Sequence, residues 1–170
     1  MSLDDTRAGA PLSEPVELDQ AEHILLWAIR AIAIGRSDCA GLRHAFRDLC
    51  GPVGDEALTT LFVLVKQLAF RSRRRLRLHA PGCSGISGDE LMLLAAVAAA
   101  QGPVRDGAIL PEAPWLSQLI GAEADSSLIA SARALAGLLA RSGCRLIAGE
   151  LRRPGAAALR PPEAEARVLH

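Results

Sequence analysis

The chain has 170 residues, enough for one domain with a substantial core, and its 19 basic and 19 acidic residues give a formal net charge of zero. That balance excludes the strongly basic composition typical of proteins that bind nucleic acids or anionic membrane surfaces. Half of the residues are hydrophobic but only 3% are aromatic. The core is therefore built from Leu, Ala, Ile and Val, and since Leu and Ala favour helices we expect a mainly α-helical protein.

The ends of the chain differ in composition from its middle. No apolar run reaches the roughly 18 residues that suggest a membrane span, and the acidic start lacks the basic-then-apolar order of a secretion signal. We therefore expect a cytoplasmic protein, with no membrane contact and with its four cysteines as free thiols. Residues 1–17 and the Pro/Ala/Arg-rich residues 154–170 are predicted to be flexible tails, and residues 18–153 a single helical domain.

The spacing of apolar residues predicts three helices in the first half of the chain. They cover residues 20–34, 38–50 and 55–70. Asp19 and Asp38 are the expected N-caps of the first two helices, because a carboxylate can accept a hydrogen bond from a free N–H of the first turn.

The clearest local signals lie in residues 87–102, where Ser87 and Glu90 have the spacing of a capping box. The residues that follow Glu90 are apolar as far as Ala100, and a Gly-Pro pair then ends the run. A helix that is apolar on all sides must be buried on all sides. We therefore predict a central helix over residues 88–101, with the other helices packed around it.

The second half of the chain adds two predicted helices, a short one from Pro114 to Gly121 and a long one over residues 126–142, which gives about six helices in all. Residues 74–79 and 144–150 alternate between apolar and polar instead. They are interpreted as at most two short β-strands that pair with each other. The alternative is a chance pattern in a chain rich in Leu and Arg.

An arginine cluster precedes the central helix, with five arginines and no acidic residue in the sequence from Arg71 to Arg77. If residues 74–79 form a strand, one face of it carries an exposed row. The members of that row are Arg73, Arg75, Arg77 and His79. The row is our candidate contact for an anion or an acidic partner. Nucleic acid is not the expected partner, since Phe70 is the only aromatic residue nearby that could stack on bases.

The alternative for the same cluster is structural. Arginine is favourable at a helix C-terminus, and charged residues on an edge strand prevent aggregation. In that case acidic residues of the chain should neutralise the row. The candidates for this are Asp48, Asp55 and Glu150.

Thiol and imidazole groups offer a second kind of site. Cys83 lies in the turn before the central helix, where the helix dipole and nearby arginines could activate it as a reactive thiol. Zinc-ligand residue types occur at Cys39, His44, Cys50, His79 and Cys83. They contain no Cys-x2-Cys pair and do not converge on one point, so no metal or cofactor is predicted. The cysteines other than Cys83 are interpreted as small buried hydrophobic residues.

The sequence supports no enzyme mechanism. It contains no glycine-rich phosphate loop, and no nucleophile, base and orienting residue can be assembled from it, so no catalytic residue is predicted. We therefore expect a non-enzymatic interaction or regulatory protein that acts through a homodimer or through a protein partner. The alternative is a thiol- or metal-dependent module centred on Cys83 and His79.

The order of these features over residues 22–101 resembles an uncharacterised bacterial helical family that has no assigned activity. The matching features are an apolar first helix with Arg30, the turn at Cys83, and Ser87 with Asp89, Glu90 and the Leu/Ala helix behind them. Members of that family look richer in cysteine and proline at the turn, where this chain has a single cysteine. The resemblance implies a bacterial helical protein and no particular function.

Overall fold

A computed structural model of the chain describes residues 18–102 and 111–146. The α-helices in this part of the chain are α1 (Gln20–Ala33), α2 (Ala40–Cys50), α3 (Gly54–Arg71), α4 (Gly88–Ala100), α5 (Ala113–Ile120) and α6 (Ser126–Arg141). One turn of 3-10 helix, Gly51–Val53, joins α2 to α3. The mainly α-helical class predicted from the sequence is confirmed. The predicted tails, 1–17 and 154–170, lie outside the described residues.

The all-apolar helix α4 is buried, as its sequence predicts. Every residue from Asp89 to Val97 is buried, Leu94 with only 1% of its surface exposed, and the last turn is half-buried. The helix packs against α5, α6 and α1. α3 in turn packs against α1, α2, α5 and α6, but it keeps one exposed face on which Phe70 is 90% exposed.

Side-chain caps begin three of the helices. Asp19 and Glu22 form a capping box at α1, in which the Glu22 N–H donates to Asp19 Oδ1 over 2.8 Å and the Asp19 N–H donates to Glu22 Oε2 over 3.0 Å. The predicted capping box of Ser87 and Glu90 is present at α4. Asp125 caps α6 by accepting from the Leu128 N–H over 2.8 Å.

The predicted N-cap of α2 was wrong. Cys39 occupies that position and makes no side-chain cap hydrogen bond. The Asp38 carboxylate binds Arg43 Nη2 at 2.5 Å instead, so it is committed to a neighbouring side chain and not to the helix backbone.

The strand predicted over residues 74–79 is also absent. The residues are extended, but no strand occurs among the described residues, and the only part of the 144–150 segment that is described, 144–146, is irregular. Carboxylates take the place of a partner strand, since Asp89 Oδ2 accepts from the Arg77 N–H at 2.7 Å and Glu90 Oε1 accepts from the His79 N–H at 2.8 Å. The backbone N–H groups are thus satisfied by the first turn of α4.

In the described parts of the chain, every helix is too short or too polar to traverse a lipid bilayer.

Candidate functional site

The connection between α3 and α4, residues 72–87, carries most of the sequence-predicted site residues, and we call it the anchored segment. Its early residues alternate in exposure. Arg73, Arg75 and Arg77 are exposed, whereas Leu76 and Leu78 are half-buried and pack against the core. The Arg73 N–H donates to the Ile120 carbonyl at 2.8 Å, which fixes the start of the segment on the end of α5.

Glu90 fixes the far end of the anchored segment. Its carboxylate is fully buried and accepts five hydrogen bonds. The donors are Arg30 Nε (2.8 Å) and Nη2 (3.0 Å), the N–H of His79 (2.8 Å), the N–H of Ser87 (2.8 Å) and His79 Nδ1 (3.1 Å). Burial by itself would raise the pKa of Glu90, but these hydrogen bonds outweigh it and lower the pKa to about 2. The group is therefore an ionised structural carboxylate at neutral pH.

Arg30 supplies the charge that faces Glu90. Only 4% of its surface is exposed, and two further N–H groups donate to backbone carbonyls of the turn, Cys83 O at 2.6 Å and Gly85 O at 2.5 Å. A buried guanidinium needs acceptors for its N–H donors, and Arg30 makes four such hydrogen bonds. One side chain of α1 thereby holds both the start of α4 and the turn that bears Cys83.

A second ion pair lies one residue earlier on α4. Arg74 binds Asp89 through two parallel hydrogen bonds, Nη1 to Oδ2 at 2.9 Å and Nη2 to Oδ1 at 2.7 Å. Burial raises the pKa of Asp89, but the hydrogen bonds from Arg74 and from the Arg77 N–H outweigh it and lower the pKa below its usual range. Arg74 therefore belongs to the structure of the segment, whereas its neighbours Arg73 and Arg75 do not pair in this way.

The arginines of the predicted row form no ion pair among the described residues, and only Arg77 lies close enough to an acid, Asp89, to lower its pKa. None of the ion pairs there includes the guanidinium of Arg73, Arg75 or Arg77. The expected neutralising residues pair elsewhere, Asp48 with His44 at 3.2 Å and Asp55 with Arg47 at 2.7 Å. Glu150 lies outside the described residues. We call Arg73, Arg75 and Arg77 the arginine row.

His79 does not belong to this row. It was predicted to face solvent beside the arginines, but its side chain is 39% exposed and its Nδ1 faces the buried Glu90. The attraction of a buried carboxylate for both the His79 N–H and the ring explains the difference.

The structure does bring His79 close to Cys83. His79 Nε2 and Cys83 Sγ both lie within 4 Å of one point, the position that a Cβ on Gly85 would take. Cys83 is exposed and lines a groove of about 420 Å³ together with His23, Trp27 and Ile86. A thiol, an imidazole and a carboxylate that contacts the imidazole thus share one region. The sequence predicted that Cys83 and His79 could form one site, but it did not predict the contact of His79 with Glu90.

The remaining cysteines differ from one another. All four are free thiols, as predicted. Cys50 is buried and Cys144 half-buried, and burial raises the pKa of both thiols. Cys39 is exposed, so the interpretation that it is buried was wrong. Across residues 18–102 and 111–146, no three His, Cys, Asp or Glu side chains are placed to hold a metal ion.

Sequence reasoning missed the two ion pairs that hold the segment. The capping box predicted for Ser87 and Glu90 explains why an acid stands at the start of α4, but it does not identify the arginines that Asp89 and Glu90 bind. The available signal was Arg30, which interrupts the apolar run of α1. A charged residue on a buried helix face requires a buried counter-charge, and Glu90 is the acid that meets it.

Comparison of the chain with known protein families, curated proteins and solved structures gives no match. The resemblance to an uncharacterised bacterial helical family therefore stays a prediction.

Proposed function

We propose that the chain is a cytoplasmic bacterial protein without enzymatic activity that binds an acidic protein partner through the arginine row. The observation that carries this proposal is that Arg73, Arg75 and Arg77 are exposed and form no ion pair among the described residues, although Arg77 lies close enough to Asp89 to lower its pKa. Three like charges in succession repel one another unless an anionic group lies opposite. A partner with correctly spaced carboxylates would remove that repulsion.

The rigidity of the anchored segment supports a binding role. The segment is extended before any partner arrives, because Asp89 and Glu90 bind its backbone and Arg30 binds its turn. A preorganised surface loses less conformational entropy on binding than a flexible one. Arg73, Arg75 and Arg77 alternate along the chain with less exposed residues, so all three guanidinium groups are accessible to a partner.

A protein partner fits the row better than a second copy of the chain does. A two-fold interface centred on the row would place arginine opposite arginine, which is unfavourable. A homodimer would have to use another surface, such as the exposed face of α3 at Phe70. Nucleic acid is disfavoured by the zero net charge, which provides no long-range positive field.

The test compares proteins retained from a cell extract by three immobilised forms of the chain. The first is the parent, and the second has Arg73, Arg75 and Arg77 changed to Ala. The third is a matched control that loses the same charge at the exposed Arg36, Arg141 and Arg145. We expect a protein retained by the parent and the control to be lost from the row variant, with affinity about ten-fold weaker. The melting temperatures of all three forms should be similar.

Two results of this experiment would contradict the proposal. One is retention of the same proteins by all three forms, which would leave the row with a structural role only. The other is a loss of binding after nuclease treatment, which would identify nucleic acid as the partner.

A second candidate function is a thiol-dependent one, and the placement of His79 beside Cys83 favours it. His79 Nδ1 faces Glu90, which leaves Nε2 directed to the region of the thiol. An imidazole in this position could accept the thiol proton and produce the reactive thiolate. The groove lined by Trp27 and Ile86 would then hold the group that reacts.

Alkylation at neutral pH tests this second candidate. We expect Cys83 to react with iodoacetamide faster than Cys39, which is also exposed and serves as the internal control. Changing His79 to Gln should lower the alkylation rate of Cys83 and leave that of Cys39 unchanged. Changing His23, which lines the same groove, to Gln should leave both rates unchanged. Equal rates for both cysteines in the parent would rule the candidate out.

A further inference from the structure

A second cavity, of about 430 Å³, lies between α1, α3 and the anchored segment. It is partly open to solvent, and its floor is apolar. Ile32, Leu68 and Leu93 lie beneath it and are almost completely buried, whereas Leu76 and Leu78 of the segment are half-buried and expose apolar surface to it. The volume is within the range of about 300–1,000 Å³ found for small-molecule sites.

Most polar groups at this cavity are already bonded to one another. Ser72 Oγ donates to the Arg74 carbonyl at 2.6 Å, and the Arg74 guanidinium forms its two hydrogen bonds with Asp89. Two cations remain, Lys66 and Arg75, which are exposed and belong to none of the ion pairs of the described residues. Lys66 Nζ lies 5.4 Å from the Phe62 ring centroid, a contact that leaves its charge unneutralised.

The cavity therefore combines an apolar floor with a rim at which the unpaired charges are the positive ones of Lys66 and Arg75. The exposed Ala33 and Ala69 also line the cavity. We propose that it binds an amphipathic anion of the fatty-acid class. The aliphatic chain would displace water from the apolar surface of Leu76 and Leu78 and of the exposed Ala33 and Ala69. The carboxylate would form charge-assisted hydrogen bonds with Lys66 and Arg75.

This site is independent of the acidic protein partner, because its ligand enters a cavity and not the exposed face of the arginine row. The two share only Arg75. Failure of one proposal therefore leaves the other standing, and their tests use different ligands and different readouts.

Calorimetric titration of the full chain tests the site with two probes that have chains of equal length, decanoate and decyltrimethylammonium, both below their micelle concentrations. We expect decanoate to bind with a negative heat-capacity change, which is the signature of apolar burial. The cationic probe should bind at least about ten-fold more weakly, because its positively charged head group is repelled by Lys66 and Arg75. In methyl NMR spectra, decanoate should shift the resonances of Ile32 and Leu76.

Two variants separate binding in the cavity from binding at the surface. Ala69→Phe places a ring in the cavity and should abolish decanoate binding, and Ala130→Phe adds the same ring to an exposed position of α6 as a matched control that should bind like the parent. Lys66→Gln combined with Arg75→Gln should remove the preference for decanoate over the cation. No decanoate binding by the parent would overturn the proposal. So would equal binding of both probes, or unchanged binding by Ala69→Phe.

Discussion

Glu90 carries more structural contacts than any other residue of the candidate site. Its two oxygens accept from Arg30, from His79 and from Ser87, so that α1, the anchored segment and the start of α4 meet at one carboxylate. Arg30 is only 4% exposed, so solvent has little access to its guanidinium group. The ion pair of Arg30 with Glu90 therefore matters for the free energy of unfolding mainly because Arg30 without Glu90 would be a buried, unpaired charge.

We expect Glu90→Gln to reduce the free energy of unfolding by about 3 kcal/mol, since a buried charge loses its counter-charge while the side-chain volume is retained. Urea denaturation followed by circular dichroism measures the change. The matched control is Asp55→Asn, which removes a carboxylate from the exposed pair with Arg47 and should leave the free energy of unfolding unchanged within error. A Glu90→Gln protein as stable as the parent would mean that the Arg30 contact is not a determinant of the fold.

At the level of secondary structure, the sequence predicted what depends on residues close together in the chain. α4 is the clearest case, because Ser87 and Glu90 are three residues apart and the apolar run follows directly. The row of Arg73, Arg75 and Arg77 was predicted to be exposed if residues 74–79 formed a strand, and the three arginines are exposed although the strand is absent.

Contacts between distant residues were not predictable in the same way. An extended segment requires acceptors for its N–H groups, and the pattern of residues 74–79 says nothing about where those acceptors lie. A partner strand was the standard expectation, whereas the structure uses Asp89 and Glu90. Arg30 is 60 residues from Glu90 in sequence, so its anomalous charge in an apolar helix could indicate that a counter-charge exists but not which residue supplies it.

Contacts between residues distant in sequence also determine the candidate functional site. The sequence identified the arginine row by composition, and the exposure of Arg73, Arg75 and Arg77 agrees with it. The sequence wrongly grouped His79 with the arginines. The alternation of residues 74–79 contains no information about Glu90 on α4, which binds the His79 ring. The cavity at Lys66 could not be predicted from the sequence, because residues of α1, α3 and the anchored segment line it together.

For the whole molecule, the carboxylates that accept hydrogen bonds from arginines and backbone N–H groups make the free energy of unfolding depend on pH in the acid range. The pKa of Glu90 is lowered from 4.5 to about 2 by Arg30, Ser87 and His79, and those of Asp89 and Asp125 are lowered as well. A group whose pKa is lower in the folded state binds fewer protons there than in the unfolded chain. Its contribution to stability is therefore complete above its unfolded pKa and is lost as the pH falls through its folded pKa.

We therefore expect the free energy of unfolding to be constant near neutral pH and to fall between about pH 4.5 and pH 2, with Glu90 contributing about 3 kcal/mol of the loss. The Glu90→Gln protein lacks this titration, so its curve should be flatter and should converge on that of the parent toward pH 2. Urea denaturation of both proteins at a series of pH values provides the comparison. Parallel curves over the whole range would show that Glu90 titrates alike in the folded and unfolded chains, and would contradict its role as the ionised centre of the anchored segment.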